Sequence, residues 1–214
     1  MACIATPAGL IQHVEIPVSH GSLEGILQTG EPGATVAAIV CHPHPLHGGT
    51  MHNRVVFYAA KAFGELGVPV LRFNFRGVSG STGTYGDGVG EQEDVRAALD
   101  FLGADRVVLA GFSFGSRVGL TVGAADDRAI ALCGMGLPVS SGGLEAIQQS
   151  TKPKLFVQGR YDQYGPPELM EPWFEAAAEP KRLVWVDGAD HFFADRTEPL
   201  KAAIISYFGE LLAT

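Results

Sequence analysis

Apolar and polar positions alternate over residues 12–18 and again over 22–29, with turn residues between, which predicts an antiparallel β pair. The pattern then changes. "TVAAIVC" (35–41) is short and continuously apolar, as a strand buried on both faces must be. Helical periodicity follows over 53–66, then an apolar strand "VPVLRFNF" (68–75), a glycine-rich loop (77–90) and a helix over 91–102. "RVVLAGF" (106–112) predicts a strand and 114–125 a helix. "AIALCGM" (129–135) predicts a strand, with a short helix over 142–150. "KLFVQG" (154–159) is a strand, 167–178 a helix, "RLVWVDG" (182–188) a strand and 198–212 a last helix. Strand and helix alternate from residue 35 onward, which specifies a parallel sheet with helices on both faces. The two leading strands make it a mixed sheet of eight. No repeat, low-complexity tract or linker interrupts 1–214, so one domain is expected, and the short connections leave little room for a lid.

Composition narrows the reading. A hydrophobic content of 46% over 214 residues suits a globular chain with a sizeable core. A formal charge of −8 argues against nucleic acid or anionic membrane surfaces as partners. No apolar run is long enough to span a bilayer, and the N-terminus lacks the basic and apolar regions of a signal peptide. Cys3, Cys41 and Cys133 are odd in number and widely spaced. They fit reduced thiols in a cytoplasmic protein, with Cys41 and Cys133 buried in strands.

In parallel sheets ligands bind beyond the carboxyl ends of the strands. There the strand 106–112 stops on Gly111-Phe112-Ser113-Phe114-Gly115, with a helix immediately after. The bare Gly-X-Ser-X-Gly spacing is weak evidence in a chain with 28 glycines, where it also describes a capped turn. Its setting between strand and helix points to a nucleophile elbow, with Ser113 strained and exposed and glycines where larger side chains would press on strand and helix. A serine hydroxyl needs a base. His191, in "VDGADHFF", follows a later strand and is the only histidine beyond residue 52, with Phe192 and Phe193 expected to wall it. Asp162, after the preceding strand, is the preferred acid to orient the imidazole; Asp187 and Asp190 are rivals hampered by their closeness to His191 in the chain. The Phe114 N–H and a second donor from "HPHPLHGGT" (42–50) would hold an oxyanion. Pro43 and Pro45 have no N–H, which leaves His44 or Leu46. Met51, Leu137, Tyr164, Met170, Trp173 and Phe192 are candidates for an apolar substrate pocket, although 170 and 173 are spaced as core positions of a helix.

His42, His44, His47 and His52 crowd into eleven residues and raise a second reading, a metal-dependent hydrolase. Two prolines stiffen the run and it contains no carboxylate, so the alternative is a scaffold in which His42 bonds nearby backbone and the others line the cleft. The first reading needs no metal or other cofactor. A third class, a binding module without turnover, keeps the fold but leaves this set of groups unexplained.

The stretches 42–56, 71–85, 111–116, 159–167 and 188–193 together resemble the α/β-hydrolase superfamily, nearest to small lidless bacterial hydrolases similar to dienelactone hydrolase and short-chain carboxylesterases. The resemblance spans nearly the whole chain. It implies an α/β-hydrolase fold, Ser113 as nucleophile, His191 as base, Asp162 as acid, and Phe114 with His44 as oxyanion donors. Serine stands where dienelactone hydrolase carries cysteine, and Ser79 stands where the family's loop after the fourth strand often has glycine. The expected reaction is hydrolysis of a small, short-chain acyl ester through an acyl-enzyme, with thioesters and small amides or peptides as alternatives on the same groups.

Overall fold

The computed structural model describes residues 9–213. Eight strands form one sheet: β1 (Ile11–Val18), β2 (Gly21–Gln28), β3 (Ala37–Cys41), β4 (Val70–Phe73), β5 (Val107–Phe112), β6 (Ala129–Met135), β7 (Lys154–Tyr161) and β8 (Lys181–Asp190). Their order is β1-β2-β4-β3-β5-β6-β7-β8. β1 pairs antiparallel with β2, and β2 with β4; every later pair is parallel. Six helices, α1 (Arg54–Glu65), α2 (Val89–Leu102), α3 (Phe114–Ala125), α4 (Glu145–Gln149), α5 (Pro167–Glu175) and α6 (Thr197–Leu212), fill the crossovers and the end of the chain.

The central strands are buried along their whole length, and their side chains divide by parity. Ala38, Val40, Val108, Ala110 and Phe112 face α1 and α6, where Phe63 packs on Phe208. Ile39, Cys41, Val107 and Leu109 face the opposite way, toward Val95, Leu99, Val118 and Leu120 of α2 and α3. A period of two in each strand therefore builds two cores, one on each side of the sheet. Cys41 and Cys133 are buried free thiols, and burial pushes both thiols far up. Cys3 lies outside the described residues.

Observed boundaries differ from the sequence pattern where side chains take over backbone bonds. The strand expected over 68–75 is confined to Val70–Phe73; the Asn74 N–H still reaches the Glu24 carbonyl of β2, but the Phe75 N–H is taken by the His42 ring. α2 begins two residues early, since the Glu91 carboxylate reaches back to the N–H groups of Gly86 and Gly88 and moves the cap upstream. The helix expected over 142–150 is confined to Glu145–Gln149, and the one over 167–178 ends at Glu175. The connection from β6 to β7 holds only a 3-10 turn and α4. Ser79 takes φ 49, the left-handed conformation that glycine accepts most readily. Among the described residues no helix is long and apolar enough to cross a membrane.

This topology decides where a site can form. From β3 the chain crosses to β4 on one side; from β5 it crosses to β6 on the other. The loops leaving β3 and β5 therefore diverge and open a crevice at adjacent strand ends.

Candidate active site

Ser113 sits in that crevice, at φ 55 and ψ −119, between the last residue of β5 and the first of α3. A non-glycine residue in this region is strained, and the surroundings fix it. Its N–H donates to the Met135 carbonyl at 2.9 Å, and its own carbonyl accepts from the N–H groups of Ser116 and Arg117 and from the Ser116 hydroxyl. The flanking glycines are sterically required. A Cβ on Gly111 would lie 2.3 Å from the Gly115 carbonyl oxygen, and one on Gly115 2.4 Å from that of His42. Strand, helix and the loop after β3 thus meet backbone to backbone.

His191 follows β8, where the pairing with β7 is irregular between Gly159 and Tyr161. Its Nε2 lies 2.8 Å from Ser113 Oγ, and its Nδ1 2.8 Å from Asp162 Oδ2. The carboxylate accepts, so Nδ1 carries the proton and Nε2 is left to accept from the serine hydroxyl. Asp162 is completely buried and takes four hydrogen bonds: from the N–H groups of Tyr164 and Gly165 at Oδ1, and from Gln158 Nε2 and His191 at Oδ2. The rival acids are engaged elsewhere. Asp187 is exposed beside Arg160, and the Asp190 carboxylate caps the N–H groups of Phe192 and Ala194. Phe112, Tyr164 and Phe192 surround the imidazole, with ring centroids 5.1, 4.6 and 5.3 Å away. Phe193 turns instead into the core beneath α6.

The loop after β3 forms the facing wall. His42 is buried, donates from Nδ1 to the Pro43 carbonyl and accepts at Nε2 from the Phe75 N–H. These partners fix a neutral ring, and burial lowers its pKa to about 4 against the raising effect of the Pro43 bond. His44 Nδ1 accepts from the Leu46 N–H, which leaves Nε2–H to meet the Tyr85 hydroxyl oxygen at 3.2 Å. Of the two candidate oxyanion donors, Leu46 therefore has its N–H occupied and its side chain in solvent, while His44 lines the cleft. The Phe114 N–H, first of α3, has no acceptor within its own helix. The histidines do not converge: His42 points inward, His44 stacks on His47 at 4.3 Å, and His52 is exposed. Among the described residues no three His, Cys, Asp or Glu side chains form a metal-holding group.

The cleft has a volume of about 430 Å³, enough for a small ligand. Tyr164 and Phe192 line it. Four other expected lining residues do not. Met51 is fully buried beneath the loop, its N–H held by Asn74 Oδ1, and Leu137 and Met170 belong to the core on the α2–α3 side. Trp173 packs edge-on against Phe156 on the same side. The apolar periodicity of α5 points at the sheet, so these side chains serve packing. Phe112, Asn53, Pro138, Ser141 and Arg117 line the cleft and were not anticipated, nor was Gln158 behind Asp162. Gln158 follows the apolar run Leu155–Val157 in a strand that also carries Lys154 and Arg160, and Arg117 lies one helical turn beyond Ser113; the positions could be read from the sequence, but not their partners.

A model of the alpha/beta hydrolase domain matches residues 38–202. The uncharacterized protein RP471 of Rickettsia prowazekii (strain Madrid E) is 32% identical over 202 residues, covering 88% of this chain and 84% of that protein. An alpha-beta serine hydrolase homologue from Coxiella burnetii is similar in structure, with a TM-score of 0.85, 38% identity, and coverage of 91% of this chain and 96% of its own. XC6422 from Xanthomonas campestris, described as a serine hydrolase without lid, has a TM-score of 0.86 and 32% identity, with coverage of 96% and 98%. The chain thus belongs to the alpha/beta hydrolase domain family, and it is a hydrolase of that fold.

Proposed function

We propose that the chain is a serine esterase that cleaves small carboxylic esters, with Ser113 as nucleophile, His191 as base and Asp162 as the acid that orients it. The observation that carries this reading is the unbroken hydrogen-bonded line from Asp162 through His191 to the strained Ser113 hydroxyl, both links at 2.8 Å. As Ser113 Oγ attacks the ester carbonyl, His191 Nε2 takes its proton. The negative charge on the carbonyl oxygen meets the N–H groups of Phe114 and His44, and the dipole of α3 favours it further. His191 then returns the proton to the leaving alcohol, giving an acyl-Ser113; it next takes a proton from water as the water oxygen attacks the acyl carbon, and passes that proton to Ser113 Oγ as the acyl–oxygen bond breaks and the acid leaves. Every group in this sequence is a side chain, a backbone N–H or water. A cleft covered by no inserted subdomain among the described residues supports a small, open-access substrate; thioesters and small amides would react by the same route.

The test is turnover of p-nitrophenyl esters of graded chain length by wild type and Ser113→Ala. The expected result is hydrolysis greatest for short acyl chains and lost by a factor of about 10³ or more in the variant, with fluorophosphonate labelling of wild type alone. Hydrolysis that is indifferent to Ser113→Ala overturns the assignment.

A further inference from the structure

The ionisable groups lining the cleft are four bases and one phenol. Arg117, His44, His47, His191 and Tyr164 face it, and among the described residues no aspartate or glutamate does, in a chain whose formal charge is −8. Arg117 is the permanent cation of this set. Among the described residues five other arginines lie within ion-pair distance of an acid, including Arg76 at 2.8 Å from Asp94, Arg128 at 2.7 Å from Asp100 and Arg182 at 3.1 Å from Glu210; Arg72, Arg96, Arg106 and Arg196 have no such partner, but none of these four lines the cleft. Among the described residues, no carboxylate lies within 4.0 Å of the Arg117 guanidinium and it donates no hydrogen bond; it lies 5.7 Å from the Phe114 ring centroid. Glu91, whose charge reaches His44 and Tyr85 together with that of Arg117, has its oxygens occupied by Gly86 and Gly88. An arginine on the first turns of α3, beside the nucleophile and without an acid, is a planar fork of donors suited to a carboxylate.

We infer that the substrate is an ester carrying a free carboxylate, which Arg117 binds in the cleft and so selects over neutral esters. This rests on the esterase reading above and names its substrate class. The carboxylate can stand on the acyl or on the alcohol side, and a pair of probes separates the two: 4-nitrophenyl hydrogen adipate against 4-nitrophenyl methyl adipate, and 4-acetoxybenzoate against methyl 4-acetoxybenzoate. In wild type, kcat/KM for the anionic member of at least one pair should exceed that for its neutral partner by about 10- to 100-fold, the range of a charge-assisted contact. Arg117→Gln should collapse this ratio toward one, chiefly through KM, and Arg117→Lys should restore part of it. Equal rates within both pairs, or a preference that survives Arg117→Gln, overturn the inference and leave the esterase reading standing. Failure of wild type to cleave any of the four esters overturns both.

Discussion

Gln158 lies completely buried on β7, behind the residues that line the cleft, and Gln158→Leu isolates what it does. Leucine has nearly the same volume, so no cavity complicates the change. The amide oxygen accepts the Leu137 N–H at 2.9 Å, and Nε2 donates to Asp162 Oδ2 at 2.9 Å and to the Gly165 carbonyl at 3.2 Å. A further approach to the Leu137 carbonyl, at 3.4 Å, matters little because the Val139 N–H already reaches that oxygen. Removing the amide orphans a buried N–H, at about 1–3 kcal/mol, and takes one charge-assisted donor from a carboxylate, at about 1.5–3 kcal/mol. The sum, roughly 2.5–6 kcal/mol, is a large share of the stability of a domain this size. At about 2–4 °C per kcal/mol for chains of 150–250 residues, the calorimetric Tm should fall by about 5–24 °C. Asp162 keeps three donors, so the fold of the site survives at low temperature. The carboxylate is held less firmly, and turnover there should fall about tenfold through misorientation of His191. A Tm within about 3 °C of wild type would refute the reasoning, because the orphaned groups would then have found partners at no cost.

Two further changes read the structure in other ways. Gly115→Ala pushes a Cβ to 2.4 Å from the His42 carbonyl oxygen and 2.5 Å from that of Cys41, where only backbone movement gives relief, so it should destabilise by at least about 1–3 kcal/mol and spread the Phe114 and His44 N–H groups apart. Gly209→Ala, on α6 with nothing nearer than 3.6 Å, should instead stabilise by about 0.5–1 kcal/mol, and paired urea unfolding curves that move in the same direction would contradict this. Stability should also depend on pH through His42. Its pKa is about 4 folded against about 6.5 for an unfolded histidine, so between these values the unfolded chain binds the extra proton. The contribution is complete above pH 6.5 and is lost as pH falls toward 4, about 3 kcal/mol in all. Unfolding free energies at pH 7 and 4.5 should show that loss in wild type and a smaller one in His42→Gln.

The sequence made the sheet legible because β3, β5 and β6 are apolar at every position, and only a strand covered by helices on both faces reads that way. It made Ser113 conspicuous for a related reason: a buried strand that ends on glycine, serine and glycine has no ordinary packing use for the hydroxyl. The pocket was harder to read. Met51, Leu137 and Met170 are the right chemistry for a pocket, but a side chain's polarity does not say which side of a loop or helix it takes, and all three point to the core. Arg117 and Gln158 went unread because each looks ordinary in isolation, a helix arginine and a strand glutamine.

Their meaning comes from partners far along the chain. Gln158 ties Leu137, at the start of the β6–β7 connection, to Asp162 and Gly165 beyond β7, so three segments meet through one amide. His42 likewise ties the loop after β3 to Phe75 at the end of β4. Neither side chain lines the cleft; each fixes a loop whose backbone or carboxylate does. The strained serine requires this arrangement. A backbone held at φ 55 relaxes if any of its neighbours yields, and Ser113 is restrained by β6 through Met135, by its own helix through Ser116, and by the β3 loop pressed against Gly115. Buried polar groups at the strand ends therefore rank with the cores in positioning the site: the cores set where the strands end, and the amide and imidazole set where the loops beyond them go.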